Sequence, residues 1–146
     1  MKFDENIKRE IILDHYQHPT HHGLCNREDY LRIHMASESC IDDIHVELKI
    51  ENDVIVDGKF DGVACAISTS STSIMLDLVI GKTCQQALEI INAYTLMVNG
   101  KEYDDELLEE ANAFDTLHKQ ANRIKCGLIG IQGIQGLIKE SESADE

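Results

Sequence analysis

The chain has 146 residues, 42% of them hydrophobic, no tryptophan, and a net charge of −14 from 13 Lys and Arg against 27 Asp and Glu. That length suits one domain with an aliphatic core, and the charge repels phosphate backbones, which argues against nucleic acid as a partner. No apolar run nears the roughly 20 residues that span a bilayer, and residues 1–14 lack a signal-peptide core, so a cytoplasmic protein with no membrane partner is expected.

Residues 2–17 read as a helix. Ile7, Ile11, Asp14 and His15 share a face, Ile12 and Tyr16 widen it, and Pro19 ends it. Residues 18–26 form a polar loop. Over 30–35, Leu31 and Ile33 alternate with Arg32 and His34, as in a short strand. Ile44, Val46, Leu48 and Ile50 then alternate with His45, Glu47 and Lys49. After Glu51-Asn52-Asp53 a second alternation runs through Val54, Val56, Gly58 and Phe60, which gives a β-hairpin. Matching the apolar sets puts Ile50 opposite Val54, Leu48 opposite Val56, Val46 opposite Gly58 and Ile44 opposite Phe60. Extended outward, this register makes Cys40 face Ala64, with Cys65 next door.

A helix is expected over 68–80, closed by Gly81. Thr83 caps a second one that runs through Val98, with Ala87, Ile91, Tyr94 and Val98 facing inward and Leu88 alongside. Residues 104–113 form an acidic helical stretch. The last helix is expected over 121–139. Gly127, Gly130, Gly133 and Gly136 lie inside it, each costing about 1 kcal/mol against alanine, so close packing against a neighbour must compensate. A single domain over 1–140 and a polar, frayed tail over 141–146 complete the chain. Strands followed by helices indicate an α+β fold.

One end of the hairpin carries two thiols, Cys40 and Cys65, and the carboxylate of Asp42. That donor set suits zinc, or iron with inorganic sulfide. Cys126, near the start of the last helix, is the candidate fourth ligand. Cys65 and Cys126 both lie at helix starts, where amide donors and the dipole favour the thiolate; Arg123 and Lys125 add positive charge. The spacing alone is unspecific, because there is no Cys-x-x-Cys pair and isolated cysteines in such a chain are more often core residues. Cys25 and Cys84 are read as incidental. His15, His18, His21 and His22 cluster locally, but a helix end running into a polar loop explains them better than a metal site. Residues 68–73, rich in serine and threonine, lack a nucleophile elbow and read as a small-residue helix face.

Taken together, the motifs resemble the IscU/NifU-type iron–sulfur assembly proteins, and within them the SufU-like branch. Asp14-His15-Tyr16 with Pro19 and Gly23 is similar to the family's N-terminal segment. Cys40-Ile41-Asp42 resembles its Cys-Gly-Asp motif, and the run from Phe60 through Cys65 to Ser68 resembles Phe-x-Gly-x-Gly-Cys-x-Ile-Ser. Gly81-Lys82, Gly100-Lys101-Glu102-Tyr103 and Arg123-Ile124-Lys125-Cys126 also fit. Lys125 where IscU proteins carry histidine, and the long interval between Cys65 and Cys126, point to the SufU-like branch. No Leu-Pro-Pro-Val-Lys segment precedes Cys126. Ile41 and Ala64 stand where the family has glycines, and would resist a φ > 0 conformation there.

The resemblance implies a three-stranded antiparallel sheet with helices packed on it (SufE/IscU-like). It also implies that Cys40, Asp42, Cys65 and Cys126 are the metal ligands. The activity it implies is that of a zinc-dependent sulfurtransferase, an acceptor that takes persulfide sulfur from a SufS-like cysteine desulfurase. Cys40 is then the sulfur acceptor and Cys126 the second candidate. The alternative is a scaffold on the same ligands for iron or a transient [2Fe–2S] cluster within the iron–sulfur assembly machinery. A zinc-stabilised interaction domain without chemistry is the reading from another class.

Overall fold

The computed structural model describes residues 2–36 and 41–144. In chain order the elements are α1 (Glu5–Gln17), β1 (Leu31–Ala36), β2 (Asp43–Glu51), β3 (Val54–Val63), α2 (Ala66–Val79), α3 (Cys84–Val98), a run of short 3₁₀ turns between 105 and 123, and α4 (Ile124–Ala144). The strands form one antiparallel sheet in the order β1-β2-β3. The helices pack on it, so the expected α+β architecture is what the chain adopts.

The hairpin forms where the alternation places it, but its register differs. Ile44 pairs with Gly62, Val46 with Phe60 and Leu48 with Gly58, two residues away from the sequence-based pairing. Two local features cause the slip. Asn52 and Asp53 both take positive φ (51° and 65°), which closes a tight two-residue turn between Glu51 and Val54. A bulge between Lys49 and Ile50 then leaves Val56 without an opposite number. Val56 is accordingly exposed, and Ile55 takes its place in the core. The placement of Cys40 opposite Ala64 falls outside the described residues.

At the far end of the hairpin Gly62, at φ +135°, faces Ile44, and a Cβ there would lie 2.0 Å from the Asp43 carbonyl oxygen. Only glycine lets β3 approach β2 this closely, immediately before the Asp42–Cys65 contact.

α2 is the central helix. Every residue from Ser70 to Leu76 is buried, so the small-residue run serves as a close-packing core face. α4 crosses it: a Cβ on Gly130 would stand 1.8 Å from Thr72 Oγ1, and Cβ atoms on Gly127 and Gly133 would strike Leu117 and Met35. The glycine spacing is thus the close approach of α4 to α2 and to the sheet. α3 has the Thr83–Gln86 capping box, and Ala87, Ile91, Tyr94 and Val98 are all buried.

Three expectations change. α1 keeps Ile11, Ile12 and His15 of the expected face inward but is rotated: Ile7, Asp14 and Tyr16 are exposed, and Lys8 is buried instead. Lys8 is held by Asp115 at 2.6 Å, and His15 by Ser73 and Glu110 at 2.8 and 3.0 Å. Residues 104–113 form 3₁₀ turns rather than an α-helix. α4 starts at Ile124 and runs on through Ala144, past the expected end at Lys139.

Candidate metal centre

Asp42, Cys65 and Cys126 come from three parts of the chain and meet at one end of the sheet. Their ligand atoms all lie within 4.8 Å of one another. Asp42 precedes β2 and is 1% exposed, while the two thiols are half-buried. Cys65 is the N-cap of α2, and its sulfur accepts from the Ser68 N–H at 3.4 Å. Its own N–H donates to Asp42 Oδ1 at 2.9 Å. Cys126 lies in the first turn of α4. Cys40 lies outside the described residues.

Ser68, which sequence reasoning missed, ties the group together. Its hydroxyl lies 2.5 Å from Asp42 Oδ2, 2.9 Å from the Cys126 carbonyl oxygen and 3.4 Å from Cys65 Sγ. The buried side chain therefore joins the residues that approach from β2, α2 and α4. The available signals were a hydroxyl one turn after Cys65 and its place as the last residue of the Phe60–Ser68 segment.

The electrostatics mark what is needed here. Burial, and then the neighbouring Cys65 and Asp42, push the Cys126 thiol up to about 12. The protein's own groups therefore outweigh the start of α4 at this thiol: two sulfurs and a carboxylate crowd one spot, and negative charge there is penalised. A cation reverses the balance, because it offsets that charge and releases the thiol proton. Two thiolates and one carboxylate suit a borderline ion such as zinc.

Ala64 is not among the residues at positive φ, so no left-handed backbone is demanded at that position, where the family carries glycine. Ile41 stands 69% exposed beside Asp42, and Val63 is 67% exposed opposite Asp43. The histidines of residues 15–22 disperse to separate partners: His15 to Ser73 and Glu110, His21 to Asp77, His22 to Asp61. Cys84 is buried in the core, and the Cys25 N–H donates to Glu47.

The chain is an α+β domain that gathers two cysteines and an aspartate at one tip of its sheet. The chain belongs to the family described as NifU-like N terminal domain, whose model matches residues 7–126. It is 34% identical over 145 residues to the zinc-dependent sulfurtransferase SufU of Bacillus subtilis, covering 96% of this chain and 97% of that one. It is 33% identical over 135 residues to the iron–sulfur cluster assembly scaffold protein IscU of Streptococcus pyogenes, covering 92% and 84%. Among solved structures it resembles FiSufU of Fervidobacterium islandicum, a candidate iron–sulfur cluster assembly scaffold protein for the SUF system. There the TM-score is 0.81 at 31% identity, over 93% of this chain and 99% of that one. Among the described residues no helix is long and apolar enough to cross a membrane.

Proposed function

We propose that this protein is a zinc-binding sulfur acceptor in iron–sulfur cluster biogenesis, taking persulfide sulfur from a cysteine desulfurase. The observation that carries this reading is the convergence of Asp42, Cys65 and Cys126. The near full-length likeness to a zinc-dependent sulfurtransferase supports it. Cys40, Asp42, Cys65 and Cys126 would hold the ion. When bound, zinc keeps its sulfur ligands ionised at neutral pH, as a sulfur nucleophile requires. Among the described residues Cys25, Cys65, Cys84 and Cys126 form no disulfide, which supports a reducing cytoplasmic setting.

Cys40 is the acceptor in this reading. Its thiolate attacks the outer sulfur of the desulfurase Cys–S–SH group. The bond from that sulfur to the desulfurase Sγ breaks, the Sγ leaves as a thiolate, and Cys40 becomes the persulfide; no external oxidant or reductant is consumed. Asp42, held by the Cys65 N–H and the Ser68 hydroxyl, keeps the ligand set in place during the exchange. Exposed Ile41 and Val63 offer the desulfurase an apolar contact at the rim.

Cys40→Ala is expected to abolish both sulfur acceptance and stimulation of the desulfurase. Full stimulation by that variant would remove Cys40 from the mechanism. The scaffold names carried by the S. pyogenes and F. islandicum relatives support a second reading, assembly of a [2Fe–2S] cluster on the same ligands. Metal content together with visible absorption after reconstitution separates the two. Stoichiometric zinc without a stable chromophore supports the acceptor, and a transferable chromophore supports the scaffold.

A further inference from the structure

One other group of described residues brings three metal-ligating atoms together: His34, Asp43 and His45, within 4.8 Å of one another. Strand pairing places them. His34 and His45 are directly opposed across β1 and β2, and Asp43 lies two residues before His45, so it shares the same outward face. The imidazole rings stack with centroids 4.3 Å apart and planes 7° from parallel. Both Nε2 atoms turn toward one oxygen, Asp43 Oδ1, at 2.6 Å from His34 and 3.8 Å from His45. The three side chains are about half exposed (52%, 54% and 50%).

An ordinary His–carboxylate pair on a sheet surface needs one imidazole, as His22 and Asp61 show nearby at 3.2 Å. Here a second imidazole stacks on the first within 3.8 Å of the same oxygen; the His34–Asp43 hydrogen bond at 2.6 Å closes the gap, so an ion would enter by replacing the proton of that bond as the two rings turn out of their stack. Two imidazoles and a carboxylate on one face, with solvent on the other, form the donor set of a borderline divalent first-row ion that retains open positions. Strand pairing holds the three Cα positions on one face, so binding needs side-chain rotation but no change of backbone.

We propose that His34, Asp43 and His45 form a second, solvent-facing site for a divalent first-row transition-metal ion, with water completing its coordination. The site goes beyond the function proposed above and does not depend on it. With only three protein ligands it exchanges its ion more readily than the buried cysteine centre.

Equilibrium dialysis of the tag-free full chain with Ni²⁺ and Co²⁺ tests this, with sulfur-to-cobalt charge-transfer absorption reporting the cysteine centre separately. The natural chain should bind two ions. His34→Gln/His45→Gln, substituted at exposed positions, should lose one equivalent, or bind it roughly tenfold or more weakly, and keep the sulfur bands. In Cys65→Ala/Cys126→Ala the reverse should hold: one ion bound without sulfur bands. An unchanged ion count in the histidine variant would overturn the proposal. Failure of sulfur acceptance would instead overturn the reading of the cysteine centre and leave the count on the sheet face untouched.

Discussion

Asp42 and Asp43 are neighbours in sequence and occupy opposite environments. Asp42 is 1% exposed and sits among two thiols, a serine hydroxyl and a backbone N–H, whereas Asp43 is half exposed and sits beside two imidazoles. The difference follows from strand geometry, since successive side chains leave a strand on opposite faces. One dipeptide at the start of β2 thus serves a buried, sulfur-rich group on the inner side and a nitrogen-rich group on the outer side. The lesson is that the sheet separates side chains by softness: sulfur comes from the helices packed inside, and imidazole from the solvent face.

The sharpest way to break this contrast is to neutralise each carboxylate in turn. Asp42→Asn should weaken zinc binding at the cysteine centre by about two orders of magnitude, while Asp43→Asn leaves it unchanged; chelator competition reads both. Equal losses would show that the two faces are not independent. Next in size is Gly62→Ala. A Cβ there meets the Asp43 carbonyl at 2.0 Å and the residue holds φ +135°, so about 2–3 kcal/mol of stability should be lost in denaturant melts, with the end of the hairpin displaced.

Ser68→Ala addresses the inner side only. It removes the hydroxyl shared by Asp42 and the Cys126 carbonyl, and zinc affinity should fall by roughly tenfold while the outer histidine group is unaffected. The smallest effect concerns acid. Burial alone would raise the Glu47 carboxyl, but the Cys25 and Asn26 N–H groups and Arg32 together hold it below the usual range. A depressed folded value means that its stabilisation is present above the unfolded value of about 4.3. It is lost as pH falls through the lower folded value. Arg32→Met should flatten that acid limb in a series of thermal melts against pH.

The element order, the α3 cap and inward face, and the reason for the α4 glycines were all legible in the sequence, because caps and apolar periodicity are local signals. The hairpin register was not: the two-residue turn at Asn52-Asp53 moves the pairing of Ile50 by one, to Ile55, and the one-residue bulge beyond it moves the pairings of Leu48, Val46 and Ile44 by two. The face of α1 was legible in part: Ile11, Ile12 and His15 lie inward, but Lys8 is buried in place of Ile7 through a partner at Asp115, remote in the chain. Residues 104–113 carry a helical composition, but the backbone tightens there into 3₁₀ turns. At the site, cysteine and aspartate stood out by chemistry. Ser68 hid within a run of similar residues, and His34 and His45 passed as the ordinary polar side of two strands.

Cys65 holds two posts at once: its sulfur caps the first turn of α2 by accepting the Ser68 N–H, and it belongs to the sulfur-rich group. A thiol that is alkylated or carries an extra sulfur is a poorer acceptor for that amide. The chemical state of one atom is thereby written into the tightness of the central helix, and slow amide exchange at Ser68 would make that coupling visible from outside.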